Sequence, residues 1–182
     1  CIAAYNRGNW IDSMLRVVTT IGVSIPGFVV ATVLLILFGS VWKILPTIGL
    51  TSWKSYIMPC FSLAFYPMCY IGRLARSSML DVINQEYIRT ALAKGVPSVT
   101  IVFKHALRNA FIPVLTYLGP LTAYILTGGF VVETVFNIPG LGRYFVQSII
   151  NRDYTIIMGT TIFLAAFIVI MTLVVDILYK AV

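Results

Sequence analysis

The side chains in this sequence that are suited to chemistry are three cysteines, one histidine and six carboxylates. Cys60 and Cys69 stand nine residues apart in one apolar run, and no cysteine or histidine pair has metal-ligand spacing. They read as small packing residues, not as a redox or zinc site. No charged region followed by an apolar stretch marks a removable signal peptide. Cys1 at the start allows a lipid anchor, but the plainer expectation is a piece cut from a longer chain. No Gly-x-x-x-x-Gly-Lys-Ser/Thr run is present to cradle a nucleotide, and no Ser-His-Asp set or paired carboxylate is present for catalysis. His105 is alone and reads as a surface or docking residue. Asp176 sits where it can reach water, so a proton relay stays open without being favoured. These residues imply a non-catalytic protein with no cofactor and no bound metal.

The elements that carry these residues are set by composition. Of 182 residues, 59% are hydrophobic and 10% are charged. Soluble domains run at about 45–50% and about 25%. A soluble domain of ~150 residues still exposes roughly 30% of its chain surface, too much to hide an apolar chain like this one. Soluble enzymes, disordered chains and soluble nucleic-acid binders are excluded on that ground. Charged residues are absent from 17–42, 55–72, 109–132 and 154–175, runs of 26, 18, 24 and 22 residues. A hydrocarbon core of about 30 Å needs about 20 helical residues, and backbone polar groups in lipid must be paired within the segment. Four membrane helices are therefore expected. A kink is predicted at Ser24-Ile25-Pro26-Gly27, where proline removes a donor. Gly119-Pro120 and Gly128-Gly129 suggest a third span packed closely against neighbours.

Four spans return both ends to one side. That side carries Arg7, Arg16, Arg73, Arg76, Arg89, Lys94, Lys104, Arg108 and Lys180, and the other carries Lys43, Lys54, Arg143 and Arg152. Basic excess marks the cytoplasmic face, so both ends and the 73–108 loop are expected in the cytoplasm. The net charge of +7 is thereby a topology signal and no evidence for nucleic acid.

The 73–108 loop is patterned. Leu80, Ile83, Tyr87 and Ala91 recur at helical spacing within Ser78–Lys94, with Asp81 and Glu86 toward its N-terminal half and Lys94 in its last turn. Gly95 then fits a C-terminal cap, followed by Pro97. Ser98 is expected to cap a second helix with Val99, Val102, Phe103, Ala106, Leu107 and Ala110 on one face and Lys104 and Arg108 on another. A helix-turn-helix elbow results, either a docking element or an amphipathic pair lying on lipid. In the loop 133–153, Pro139-Gly140 and Gly142 mark a turn. Phe145, Val146, Ile149 and Ile150 then form a short amphipathic helix, either an interfacial anchor or a docking ledge.

The run Glu86-Tyr87-Ile88-Arg89-Thr90-Ala91-Leu92-Ala93-Lys94-Gly95, continuing to Phe103-Lys104-His105-Ala106-Leu107-Arg108-Asn109-Ala110-Phe111-Ile112-Pro113, resembles the coupling loop of binding-protein-dependent ABC transporter permeases. The likeness is nearest the oligopeptide/dipeptide type, in particular the B-type subunit of the oligopeptide system. Against the family pattern Glu-Ala-Ala, three residues, Gly, nine residues, Ile, one residue, Leu-Pro, only Ala91, Gly95 and Leu107 match. Arg89, Thr90, His105 and Arg108 depart from it in the manner of the peptide subgroup. Gly22-Val23-Ser24-Ile25-Pro26, Gly128-Gly129-Phe130-Val131-Val132-Glu133, Phe136-Asn137-Ile138-Pro139-Gly140-Leu141-Gly142 and Asn151-Arg152-Asp153-Tyr154 extend the likeness over nearly the whole chain.

The resemblance implies an all-α polytopic helical membrane protein, one partial permease domain over 1–182, holding four of six spans with a cytoplasmic helix-turn-helix coupling loop. It implies a multi-pass protein of the bacterial cytoplasmic membrane that works with a second permease subunit, two cytoplasmic ATPases and an extracytoplasmic substrate-binding protein. Arg89, Thr90, Ala91, Lys94, Gly95, His105, Leu107 and Arg108 become the candidate ATPase-coupling residues. Oligopeptides are the expected cargo, with short peptides second. The same family also carries dipeptides, glutathione and nickel. An integral membrane enzyme and a scaffold or receptor without a transport path are the competing readings.

Overall fold

A computed structural model describes residues 8–47, 49–50, 52–127 and 129–181. Cys1, Arg7 and Gly128, and the side chain of Lys180, lie outside the described residues. Among those residues there is no strand. Ten α-helices follow in order: α1 Trp10–Ser24, α2 Gly27–Leu34, α3 Ile57–Ile83, α4 Glu86–Ala93, α5 Ser98–Thr100, α6 Leu107–Ala110, α7 Ile112–Thr127, α8 Phe130–Val135, α9 Leu141–Ile150 and α10 Tyr154–Ala181. Two wider π-helical stretches, Leu35–Val41 and Ile101–Ala106, continue α2 and α5.

Two segments, Ile112–Val135 and Tyr154–Leu178, are long and apolar enough to cross a membrane, and the broken pair Trp10–Ser24 with Gly27–Val41 makes a third if counted as one span. The break falls where the sequence predicts it. Pro26 is extended, with φ −60° and ψ 139°, and its carbonyl accepts the amide of Val29 at the start of α2. The run 55–72 starts in a 3-10 turn, Trp53–Tyr56, and continues in α3, which contains Pro67 and is long enough at 27 residues but less apolar than α10. Pro120 stands inside α7. The segment Tyr154–Leu178 is only 6% buried. A helix that is apolar all round and exposed all round is stable only against lipid or a partner.

The chain forms two compact units. The first takes residues 8–23, 68–118 and 175–181. Its core is Met79, Ile88, Ile101, Ala106 and Ala110, with Leu80, Val82, Ile83, Ala91, Val96 and Val102 packed around it. The second takes the described residues of 24–67 and 119–174. Its core is Ala31, Met58, Val132 and Phe136, flanked by Leu34, Leu35, Phe38, Leu63 and Val135. Within this unit a Cβ on Gly129 would collide with the Leu63 side chain. The close approach expected near Gly128-Gly129 is therefore real at Gly129.

Candidate functional site: the 86–110 elbow and its anchor

The elbow forms, with changed boundaries. The predicted helix Ser78–Lys94 is two helices. α3 runs unbroken to Ile83, so Asp81 lies in its last turn and not at the start of an elbow helix. The Asn84 side chain folds back onto the Leu80 carbonyl at 2.9 Å, and Gln85 turns extended to begin α4. Such local side-chain bonds compete with helix continuation. Glu86 does open α4, where its charge suits the helix dipole. Gly95 then has φ 75°, and its amide bonds to the Leu92 carbonyl at 2.9 Å. A Cβ there would meet nothing of this chain within 4 Å. The positive φ, and not crowding within the chain, demands the glycine. Pro97, not Ser98, occupies the cap position of the second helix.

The second helix keeps part of the face its sequence spacing predicts: Ala106 and Ala110 are buried and Val102 and Leu107 half-buried, but Val99 and Phe103 are not on it. Val99 is 69% and Phe103 63% exposed, whereas Ile101, Ala106 and Ala110 are buried. The prediction assumed 3.6 residues per turn. The π-helical stretch Ile101–Ala106 holds more residues per turn, which puts Ile101 on the side of Ala106 five positions on and turns Phe103 away.

The candidate coupling residues distribute as follows. Arg89 is exposed and pairs with Glu86 at 3.2 Å, a surface pair of about 0–1 kcal/mol. Thr90 donates its hydroxyl to the Glu86 carbonyl. Ala91 packs half-buried on the core. Lys94 is exposed at the end of α4, and Arg108 is exposed on α6. His105 is half-buried. Leu107 is also half-buried and lines a shallow groove of about 320 Å3 with Arg108, Phe111 and Leu115, so Ala106 and not Leu107 fills the elbow core. Among the described residues no group of three His, Cys, Asp or Glu could hold a metal.

One strut joins the two arms. Asn109 Nδ2 donates to the Tyr87 hydroxyl at 2.8 Å, and that hydroxyl donates to the His105 carbonyl at 3.4 Å. Tyr87→Phe is expected to loosen α4 by about 0.5–1 kcal/mol, the low end for a half-exposed neutral bond. Faster amide exchange confined to 86–93 would show it, and unchanged exchange would refute it.

Below the elbow lies an anchor with a sequence separation of 64. Arg76 Nε donates to Asp12 Oδ1 at 2.6 Å and Nη2 to Oδ2 at 2.8 Å. The Gly8 amide adds a bond at 3.3 Å, and Arg16 stands 3.9 Å away. The Asp12 side chain is 1% exposed. This two-pronged pair ties α1 to the segment of α3 that feeds the elbow. Read by sequence, Arg76 is one topology charge among nine. The signal that could have found the pair is a lone carboxylate five positions ahead of an uncharged run.

The loop 133–153 holds a second buried carboxylate. Glu133, 7% exposed, accepts the Arg143 amide at 3.0 Å in the first turn of α9. It thus caps a helix from outside and meets the positive end of its dipole. The helix itself spans Leu141–Ile150, as the Phe145–Ile150 pattern predicts.

Comparison with known proteins places this geometry in context. The family model described as the binding-protein-dependent transport system inner membrane component matches residues 1–182. The dipeptide transport system permease protein of Bacillus subtilis (strain 168) is 48% identical over 178 residues, covering 98% of this chain and 58% of its own length. The glutathione transport system permease protein of Escherichia coli (strain K12) is 40% identical over 181 residues, covering 100% of this chain and 59% of its own. The protein of that name in Shigella flexneri serotype 5b is also 40% identical over 181 residues. The chain thus spans less than two thirds of the length of these relatives.

Proposed function

This chain belongs to the family of binding-protein-dependent transport system inner membrane components, and from that premise we propose that it forms part of the membrane path of an ATP-driven peptide importer. It is an all-α membrane protein of the permease class. In the proposed assembly a binding protein delivers cargo, a second permease subunit completes the path, and two cytoplasmic ATPases dock on the 86–110 elbow. The basic bias of nine residues against four supports both chain ends and the elbow on the cytoplasmic side. Four crossings, at about 17–42, 55–72, 109–132 and 154–176, fit that orientation.

The observation that carries the proposal is the elbow's division of faces. One face packs on Met79, Ile88 and Ile101, while Leu92, Val99 and Phe103 stay 53–69% exposed on the other. Apolar side chains beside Arg89, Lys94, Lys104 and Arg108 make a surface suited to a mixed apolar and acidic cleft. Arg89, Thr90, Ala91, Lys94, Gly95, His105, Leu107 and Arg108 are the residues assigned to or beside that contact. The two named relatives act, by name, on a dipeptide and on glutathione. Both are short peptides, which favours the short end of the peptide range over long oligopeptides or nickel.

Gly95→Val in the full-length protein tests the coupling role. A β-branched residue at φ 75° costs about 1–2 kcal/mol or more. Spent on the docked geometry, that is on the order of a tenfold loss of peptide uptake and of ATPase association. Uptake and association both unchanged would refute the coupling role. A strain lacking the gene that takes up defined peptides normally but loses nickel uptake would refute the cargo.

A further inference from the structure

Beside the Asp12–Arg76 pair, α1 and α3 line a half-open cavity of about 400 Å3 within the first unit. Arg16, Thr20, Tyr70, Arg73, Arg76 and Ser77 are among its lining residues. Three arginines line this space against one carboxylate, because Asp12 takes the Arg76 fork and has Arg16 at 3.9 Å. Arg73 is exposed and leans over the Tyr70 ring at 6.0 Å. Thr19, also in the lining, has its Cγ2 3.6 Å from where a Cβ of Gly72 would lie, an ordinary van der Waals contact between the two helices. The cavity therefore has an excess of positive charge and hydroxyl groups on its wall.

We propose that this cavity binds a phosphate oxyanion, and that the phosphate is the headgroup of an anionic phospholipid. Guanidinium forks match phosphate oxygens in pairs, and the volume falls within the ~300–1,000 Å3 of small-molecule sites. Depth selects the lipid. Arg16 immediately precedes the uncharged run 17–42, and Arg73 immediately follows the uncharged run 55–72. Two arginines 57 positions apart thus stand at two apolar-to-charged boundaries and line one cavity. On α1, Met14, Val17, Val18 and Ile21 recur at i, i+3, i+4 and i+7 and are 48–59% exposed. That apolar stripe seats α1 against hydrocarbon. Arg16, within the same turns, then reaches the headgroup level, as long basic side chains do. A soluble phosphate would meet the same charges without using the apolar stripe. The proposal rests on the membrane placement but on neither the coupling role nor the choice of side, so failure of the Gly95 test leaves it intact.

The test uses the full-length protein in phosphatidylcholine nanodiscs doped with phosphatidylglycerol, with retained lipid read by native mass spectrometry. A basic residue near an anionic surface is worth about fivefold. Arg73→Gln should cut phosphatidylglycerol retention about fivefold and Arg16→Gln with Arg73→Gln about thirtyfold, whereas Lys104→Gln should leave it unchanged. Arg76 is left alone because it holds Asp12, and the single Arg73 variant guards against a misfolded double. Inorganic phosphate serves as the second probe. Protection against thermal unfolding by phosphate, lost in the double variant, with lipid retention unaffected, would keep the anion site and overturn the lipid as its source. Equal loss in all three variants, or no loss in any, would overturn the site.

Discussion

Arg76→Ala is expected to lower the stability of the first unit markedly, because it leaves the Asp12 carboxylate without its two short bonds. Asp12 is almost wholly shielded from water and takes two short bonds from the one guanidinium. Neither the Gly8 amide at 3.3 Å nor Arg16 at 3.9 Å can replace that fork. Arg76→Lys keeps the charge but loses the second prong, so an intermediate loss is expected. Asp12→Asn combined with Arg76→Gln removes both charges and should recover most of the loss, since a buried pair is worth little against neutral groups of similar shape. Chemical denaturation of the full-length protein in detergent would measure all three. A loss below about 1 kcal/mol for Arg76→Ala would place the pair among ordinary surface bridges. Because the bond joins α1 to the run of α3 entering the elbow, peptide uptake should fall with stability.

The second large effect is expected at Gly142. A Cβ there would lie 2.6 Å from Phe130 Cδ1, 2.8 Å from Phe130 Cα and 3.0 Å from Glu133 Oε2. A ring can turn aside, although this one is stacked on Phe145 at 5.0 Å, but a backbone Cα moves only with its helix. Gly142→Ala should therefore cost about 1–3 kcal/mol as overpacking, with more if Glu133 leaves the Arg143 amide and remains buried. Gly159→Ala is the internal control. It lies within α10 with nothing near its would-be Cβ. That change should be neutral or raise stability by up to about 1 kcal/mol through helix propensity. Equal behaviour of the two alanines in thermal unfolding would show that the tight contact at Gly142 carries no energy.

Gly95 and Pro26 were legible because their effect is local. Pro26 removes a donor beside Gly27 and breaks the helix there, although Pro67 and Pro120 are carried inside α3 and α7, and a glycine two residues ahead of a proline at the end of a helical pattern fits a helix stop. The Phe145–Ile150 helix was legible for the same reason. The face of the second elbow helix was legible only in part. Phe103 looks buried at a fixed period of 3.6, but one widened stretch brings Ile101 inward and turns Phe103 out. Asp81 was misplaced because a helix continuing from an apolar run leaves no cap to mark where the span ends and the elbow begins.

The sequence by itself determined the class of protein and its punctuation. Uncharged runs, basic bias and the motif around Gly95 are properties of neighbours along the chain, and bilayer thickness and backbone sterics act on neighbours. Tertiary structure alone decided which charges serve as anchors. Asp12 found Arg76 across 64 positions, Glu133 found the first turn of α9, and Arg16 and Arg73 came to line one cavity. Each pairing depends on the angle at which two helices meet. That angle is set by the summed packing of small and large side chains such as Gly72 against Thr19, which no one-dimensional pattern encodes.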